Sequence, residues 1–246
     1  MKSVLITGAN KGIGFETARQ LLQQEFYVYL GCRDLQKGLE ASKQLTLSGL
    51  DNFEVVQIDI TQDESVRNAH TEISKKTDVL DVLINNAAIA GNLPQTALTA
   101  GIDEWKTVFD TNLYGVVRTT QIFLDMLRKS TEPCIVNVSS SIGSLTLHNE
   151  PTWPYYANAN VFAVYSASKA ALNMYSVTLA HELRDTLVKI RMVDPGYTKT
   201  DFNGHQGLGT VKDAAMRIVN ALKDSSRPTG SFISEEYNPE TGKCPW

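Results

Sequence analysis

Short apolar runs and longer helical patterns alternate along almost the whole chain, and this alternation restricts the possible folds more than any other feature. The runs VLIT, VYLGC, VVQI, VLIN, CIVNV and KIRMV are rich in β-branched residues, and segments with helical spacing lie between most of them. Near-continuous apolar strands that alternate with helices are typical of a parallel sheet covered on both faces. The sequence therefore predicts a doubly wound parallel α/β sheet.

The individual elements form one series from end to end. Strands are predicted at 2–8, 26–32, 53–60, 79–88, 133–141, 188–196 and 230–234, and helices at 13–24, 35–48, 63–76, 105–129 and 164–185. Right-handed crossovers between such strands give a Rossmann-type sheet, here of about seven strands. The sequence contains no repeat, low-complexity tract or obvious linker, so we expect a single domain over 1–246.

Composition narrows the classes of partner. The net charge of −4 over 246 residues indicates neither nucleic-acid nor anionic-membrane binding. Three scattered cysteines and four dispersed histidines have no metal-ligand spacing, and the odd cysteine count favours a reducing compartment. The apolar run in the N-terminal segment is too short for a signal peptide, and no apolar run approaches the length of a membrane span. We therefore expect a cytoplasmic protein that binds neither metal nor membrane.

Unusual polar clusters follow nearly every predicted strand. TGANKGIG follows the first, CRD the second, DI the third, NNAA the fourth, SSS the fifth and DPGYTKT the sixth. The carboxyl ends of parallel strands share one edge of the sheet, where open α/β sheets bind their ligands. The clusters therefore predict one ligand crevice.

The first cluster is glycine-rich, with Gly8, Gly12 and Gly14 between a strand and an amphipathic helix. This G-x-x-x-G-x-G spacing is a longer variant of the dinucleotide fingerprint, in which glycines allow a tight turn and a close approach to a pyrophosphate. A glycine-rich turn alone is often only a connector. Its position here favours nucleotide binding.

The second cluster bears on the choice of cofactor. Asp34 is one candidate for the acid that binds the ribose of NAD. Cys32, however, occupies the strand end, and Arg33 follows it. Arg33 is able to bind a 2′-phosphate in a bidentate manner, and Lys11 in the glycine loop adds a second cation. The balance favours NADP(H), although Arg33 and Asp34 also fit a solvated helix start.

Taken together, the motifs resemble the short-chain dehydrogenase/reductase family, in its single-domain form of roughly this length. The resemblance rests on TGANKGIG at 7–14, DI at 59–60, NNAA at 85–88, DTNLYG around Asn112, NVSSSIG at 137–143, YSASK at 165–169 and PGYTKT at 195–200. The motifs occur in the family's order, and NKGIG, CRD and NNAAIAG are most similar to its carbonyl reductases. One departure is Ala88, where the family usually has glycine.

The resemblance implies four catalytic residues. Tyr165 would be the general acid, and Lys169 would bind the nicotinamide ribose and lower the pKa of the tyrosine. Ser140 would hydrogen-bond the substrate carbonyl, and Asn112 would position a water near Lys169. By itself the Tyr165–Lys169 pair is more typical of a polar pair on a helix face than of a catalytic pair. Ser139 and Ser141 leave the register of the serine open, and a serine cluster also fits a cap or turn.

The resemblance also implies the remaining cofactor contacts. Asn10 and Ile13 would belong to the glycine loop, Asp59 and Ile60 would touch adenine, and Asn86 and Ala87 would run beside its ribose. Pro195, Gly196 and Thr198 would shape the nicotinamide pocket, with Thr198 able to bind the carboxamide.

An insertion at about 144–163 separates Ser140 from Tyr165. Its residues His148, Trp153, Tyr155 and Tyr156 either wall a substrate pocket or only pack the insertion onto the sheet. His148 is a weaker candidate for the proton donor, because no neighbouring residue orients it. The helix that follows is a common dimer contact in the family, so the oligomeric state stays open.

These observations predict an NADPH-dependent reduction of small-to-medium ketones or aldehydes, with Tyr165 as the acid. The alternatives are an NAD-linked alcohol or hydroxysteroid dehydrogenase and a nucleotide-sensing protein without turnover. A methyltransferase is a weaker rival, because it leaves YSASK unexplained.

Overall fold

The computed structural model describes residues 1–246 apart from the side chain of Asn158. Seven parallel strands form one sheet in the order β3-β2-β1-β4-β5-β6-β7. The strands are β1 (Ser3–Thr7), β2 (Tyr27–Cys32), β3 (Phe53–Gln57), β4 (Val82–Asn85), β5 (Cys134–Val138), β6 (Lys189–Val193) and β7 (Ser231–Ile233). The order reverses between β1 and β4, and this switch point opens the crevice at the carboxyl ends of the strands. The predicted Rossmann-type sheet is confirmed.

Helices cover both faces of the sheet. They are α1 (Gly12–Leu22), α2 (Leu35–Leu47), α3 (Asp63–Ser74), α4 (Ile102–Phe109), α5 (Gly115–Leu127), α6 (Leu145–His148), α7 (Ala163–Glu182) and α8 (Val211–Lys223). Side chains from α1, α2 and α8 pack on one face, around Val4, Ile6 and Ile84. Side chains from α3, α5 and α7 pack on the other, around Leu5, Leu83 and Ile135. Alternate residues of one strand thus feed two separate cores, which explains their near-continuous apolar sequences.

The structure corrects two expectations about helices. The single helix predicted over 105–129 is α4 and α5 joined by a π-helical turn at Asp110–Tyr114. Apolar periodicity does not reveal such a turn, because the chain stays helical through it. Helix α8 was missed altogether, although Ala214, Ala215, Ile218 and Val219 form an apolar stripe, and Thr210 caps the helix by accepting a hydrogen bond from the Asp213 N–H.

Among the residues that the structure describes, no helix is long and apolar enough to cross a membrane. Cys32, Cys134 and Cys244 are buried free thiols. The cytoplasmic location stays a prediction.

Candidate active site

The glycine-rich turn after β1 has a conformation that requires glycine. Gly8 and Gly12 have φ angles of +67° and +57°, in the left-handed region that L side chains rarely adopt. A Cβ on Gly14 would collide with the side chain of Asn86 and the carbonyl of Gly8. The turn therefore brings the start of α1 close to the end of β4.

The start of α1 is suited to an anion. Lys11 is the N-cap residue, but no side chain caps the helix within the described residues. The first intrahelical hydrogen bond runs from the Phe15 N–H to the Lys11 carbonyl, so earlier N–H groups are available to a ligand. Uncapped N–H groups behind a glycine turn fit a pyrophosphate. Asn10 lies in this turn, and Ile13 packs partly against the core below it.

Arg33 and Asp34, the two candidate determinants of cofactor choice, follow the end of β2 and have different surroundings. Cys32 is buried, whereas the next side chain, Arg33, is exposed. Asp34 is the N-cap of α2, and its Oδ1 accepts a hydrogen bond from the Lys37 N–H at 3.1 Å. Lys11 donates to Asp201 Oδ2 at 3.0 Å. The structure thus pairs Lys11 with a carboxylate of the loop after β6, instead of placing it beside Arg33 as a second cation.

The ends of β3 and β4 lie on either side of the glycine turn in the sheet order. Asp59 Oδ1 accepts hydrogen bonds from the backbone N–H and the hydroxyl of Thr61, which fixes a turn above β3, and Ile60 next to it is buried. The N–H groups of Asn86 and Ala87 both donate to the hydroxyl of Thr7, at 3.0 and 3.1 Å. The NNAA segment is therefore attached directly to β1.

Tyr165 and Lys169 lie in the first turns of α7 and face the end of β5. Lys169 is 2% exposed, and its ammonium group donates to the Val138 carbonyl at 2.8 Å. The ammonium nitrogen lies 5.6 Å from the centroid of the Tyr165 ring. Close packing of the turn after β5 brings these groups together: a Cβ on Gly143 would lie 2.9 Å from the backbone carbonyl carbon of Lys169.

The three consecutive serines after β5 have different surroundings. Ser139 is buried and donates to the Asn173 side chain at 2.6 Å. Ser141 is buried on the side of the insertion. Ser140 is the member of the cluster whose hydroxyl lies close enough to the Tyr165 phenol to lower its pKa. The geometry thus favours the Ser140 register.

Asn112 lies within the π turn and is fully buried. Its side chain exchanges two hydrogen bonds with the backbone of Ile89, both at 2.9 Å, and donates to Ser168 Oγ at 3.0 Å. Asn112 therefore ties the segment after β4 to α7. The expectation that it holds a water near Lys169 stays a prediction.

Burial dominates the electrostatics of the tyrosine–lysine pair. It raises the pKa of Tyr165 above its usual value, and the nearby charge of Asp194 raises it further. Burial also lowers the pKa of Lys169 to about 8, although Asp194 opposes that shift. The net pKa of Tyr165 is thus raised, and the expectation that Lys169 lowers it stays a prediction.

The loop after β6 contains Pro195, Gly196 and Thr198, and hydrogen bonds of the buried residues Asp194 and Thr198 hold it in place. Asp194 Oδ1 accepts from the Gly196 N–H at 3.0 Å, and its Oδ2 accepts from the Ser234 hydroxyl at 2.7 Å. The hydroxyl of the buried Thr198 donates to the Gly196 carbonyl at 3.0 Å.

Two side chains from outside the loop complete this framework. Glu236 accepts a hydrogen bond from the Tyr197 N–H, and Arg217 of α8 donates to the Pro195 carbonyl at 2.7 Å. Sequence reasoning missed Asp194, Arg217 and Glu236. The apolar stripe of α8 was the available signal for Arg217 and the DPGYTKT cluster for Asp194, whereas no motif marks Glu236.

The short helical turn at Asp201–Asn203 extends this loop toward the catalytic residues. Phe202 packs edge-to-face on Tyr165, with ring centroids 5.4 Å apart. Thr200 lies next to Gly12, since its Cγ2 is 3.8 Å from the position of a Cβ there. One loop thus reaches both the glycine turn and the candidate acid.

The aromatic residues of the insertion divide into two groups. Trp153 is buried and packs on His148 and Tyr155, and the ring of Tyr155 lies 5.6 Å from that of Tyr197. Tyr156, by contrast, is exposed. His148 Nε2 lies 2.7 Å from the Ile142 carbonyl, a contact that occupies this nitrogen.

Comparison with known proteins gives a consistent assignment. A sequence profile of the short-chain dehydrogenases matches residues 2–209. The chain is 35% identical over 238 residues to a short-chain dehydrogenase of Penicillium roqueforti, covering 95% of this chain and 94% of that protein. It is 32% identical over 307 aligned positions to (−)-isopiperitenone reductase of Mentha piperita, covering 94% and 96% of the two chains.

Among solved structures, the NADPH-bound carbonyl reductase from chicken fatty liver superimposes with a TM-score of 0.85 at 28% identity, covering 100% of this chain and 99% of that one. The profile match extends over most of the chain, and the relatives align over nearly their whole lengths. The chain therefore belongs to the short-chain dehydrogenase/reductase family, oxidoreductases that bind nicotinamide cofactors.

Proposed function

We propose that the protein is an NADPH-dependent carbonyl reductase that converts ketones or aldehydes to alcohols. The observation that carries the proposal is the grouping of Ser140, Tyr165 and Lys169 at the end of β5: the Ser140 hydroxyl is close enough to the phenol to lower its pKa, and the Lys169 ammonium nitrogen lies 5.6 Å from the centroid of the phenol ring. Two hydroxyl donors at one point suit the oxygen of a carbonyl group, which accumulates negative charge as it is reduced.

Each catalytic residue at the crevice has a distinct role in the proposed reaction. NADPH, when bound, supplies the hydride. The Ser140 hydroxyl donates a hydrogen bond to the carbonyl oxygen and holds it next to Tyr165. Tyr165 then delivers its phenolic proton to that oxygen, and its raised pKa keeps it protonated at neutral pH. Lys169, held by the Val138 carbonyl, places a positive charge beside the phenolate that forms.

The residues that would hold the cofactor fit its parts. The uncapped start of α1, with Gly8, Gly12 and Gly14, suits the pyrophosphate. Asp59, Ile60, Asn86 and Ala87 would border the adenosine, and Pro195, Gly196 and Thr198 the nicotinamide. Arg33 supports a 2′-phosphate, because it is exposed at the end of β2 while Asp34 is engaged as a helix cap.

A cofactor-oxidation assay tests the proposal. Purified protein is mixed with NADPH or NADH and a panel of aliphatic ketones, aryl ketones, keto esters and aldehydes, and the absorbance of the reduced cofactor is followed. We expect turnover with NADPH and at least one carbonyl class, and a reversed cofactor preference in Arg33→Asp. Preference for NADH in the unaltered protein would support the NAD-linked alternative, and tight NADPH binding without turnover of any carbonyl would support a sensor.

A further inference from the structure

A small cavity lies between the insertion and the segment after β7. Its volume is about 270 Å³, and its lining includes Ser141, Glu150, Trp153, Tyr155, Glu236 and Tyr237. The residue before Ser141 is the proposed carbonyl-binding Ser140. Tyr155 packs on Tyr197 of the nicotinamide loop, so two residues of the lining, Ser141 and Tyr155, adjoin the proposed active site.

Charge in this cavity has one sign. The two acidic residues of the lining are Glu150 and Glu236, and none of the described side chains that line the cavity is basic. Glu150 accepts two hydrogen bonds from Thr152 on Oε1, which lower its pKa and keep it ionised, and these bonds leave Oε2 for a ligand. Burial raises the pKa of Glu236, and the nearby Arg217 partly offsets its charge, so Glu150 is the main anion of the lining.

The aromatic residues give the cavity a shape that suits a cation. Trp153 and Tyr155 both line the cavity, and their rings contact each other edge to face, at 86° with centroids 5.6 Å apart. Tyr237 adds a third, half-exposed ring. Aromatic faces next to carboxylates attract ammonium groups, because the negative charge of the ring face adds to that of the acid.

We propose that this cavity is a subsite for a cationic ammonium group on the carbonyl substrate. The inference rests on the proposed reductase function and specifies the class of substrate, a ketone or aldehyde that carries an alkylated amine a short distance from its carbonyl carbon. The volume of the cavity is too small for a whole drug-sized ligand, for which pockets of about 300–1,000 Å³ are usual, and it suits one substituent.

A pair of matched substrates tests the subsite. One is an acetophenone that carries a trimethylammonium group on a short methylene chain, and the other has a tert-butyl group in the same place. The two differ in charge but hardly in shape. At low ionic strength we expect kcat/KM to favour the cationic ketone by about tenfold in the unaltered protein.

Glu150→Gln should reduce that preference by about three- to tenfold and leave kcat/KM for the tert-butyl ketone unchanged. Glu240→Gln is the control, because Glu240 is exposed outside the cavity and its replacement changes the net charge equally. An equal preference in the unaltered protein and in Glu150→Gln, or a preference for the tert-butyl ketone in the unaltered protein, would overturn the proposal.

Direct binding keeps the test independent of turnover. If neither ketone is reduced, the proposed function fails, but the subsite is still measured by titrating the protein with benzyltrimethylammonium in a calorimeter. Weaker binding in Glu150→Gln but not in Glu240→Gln supports the subsite. Absence of binding, or equal affinity in all three proteins, contradicts it.

Discussion

The catalytic corner and the insertion lie side by side but are built in different ways. The corner, which consists of Asn112, Ser140, Tyr165 and Lys169, is formed where β5, α7 and the π turn meet, and its polar groups bond to fixed backbone carbonyls or hydroxyls. In the described residues of the insertion at 144–163 the helical turns are short, and ring contacts join His148, Trp153 and Tyr155. This difference supports the proposal that the corner performs the reaction and the insertion selects the substrate.

The distinction between the corner and the insertion fails most clearly if the ammonium charge of Lys169 is dispensable for the reaction. Lys169→Ala removes the ammonium group beside Tyr165, and we expect kcat/KM for NADPH-dependent ketone reduction to fall by about 10³-fold. Steady-state kinetics at neutral pH measure the loss, and circular dichroism verifies the fold. A variant that retains folding and near-normal activity would show that the lysine has no part in proton transfer.

The serine cluster offers a sharper contrast within the corner. Ser140→Ala should lower kcat by about 10²-fold with little change in stability, because it removes a donor to the developing oxyanion. Ser139→Ala should leave the chemistry intact but lower the free energy of unfolding by about 1–3 kcal/mol, since Asn173 loses its buried partner. Kinetics and denaturant unfolding of both variants test this. The opposite assignment of effects would move the catalytic role to Ser139.

The pH dependence tests the electrostatics of the corner. The pKa of Lys169 is about 8, so the ammonium form, and with it kcat/KM for reduction, should decline as the pH rises above that value. Asp194 raises this pKa, so Asp194→Asn should move the decline to lower pH. Ser234→Ala keeps the carboxylate but removes its hydrogen bond, and it serves as the control. An unchanged pH profile in Asp194→Asn would show that the decline in kcat/KM does not arise from deprotonation of Lys169.

The smallest effect is expected on the exposed side of the insertion. Tyr156 is 44% exposed, and Tyr156→Ala should change kcat/KM for uncharged ketones by no more than about twofold. Comparison of several ketones in one assay measures this. A large loss with all of them would extend the catalytic corner into the insertion.

Sequence reasoning predicted the parts of the molecule in which local chemistry dictates structure. The glycines of the turn, the succession of strands along the chain and the placement of Tyr165 and Lys169 at the start of α7 all follow from spacing and residue type. It could not predict groups that long-range packing brings together. Asp194, Arg217 and Glu236 meet at Gly196 from three different segments, and nothing in their local sequence marks that meeting.

Burial also sets properties of the corner that residue spacing does not show. The depressed pKa of Lys169 and the raised pKa of Tyr165 depend on how completely the fold removes both groups from water. The π turn at Asn112 is similarly invisible to apolar periodicity, yet it sets which residue of that stretch reaches Ile89 and Ser168.

The most direct test of the account replaces the phenol itself. Tyr165→Phe retains the ring that packs on Phe202 but removes the proton that the substrate oxygen receives. NADPH affinity, measured by titration, and NADPH oxidation with the best ketone are determined on the same preparation. We predict nearly unchanged NADPH binding with kcat lowered by about 10³-fold or more. Full activity in Tyr165→Phe would contradict the assignment of Tyr165 as the proton donor.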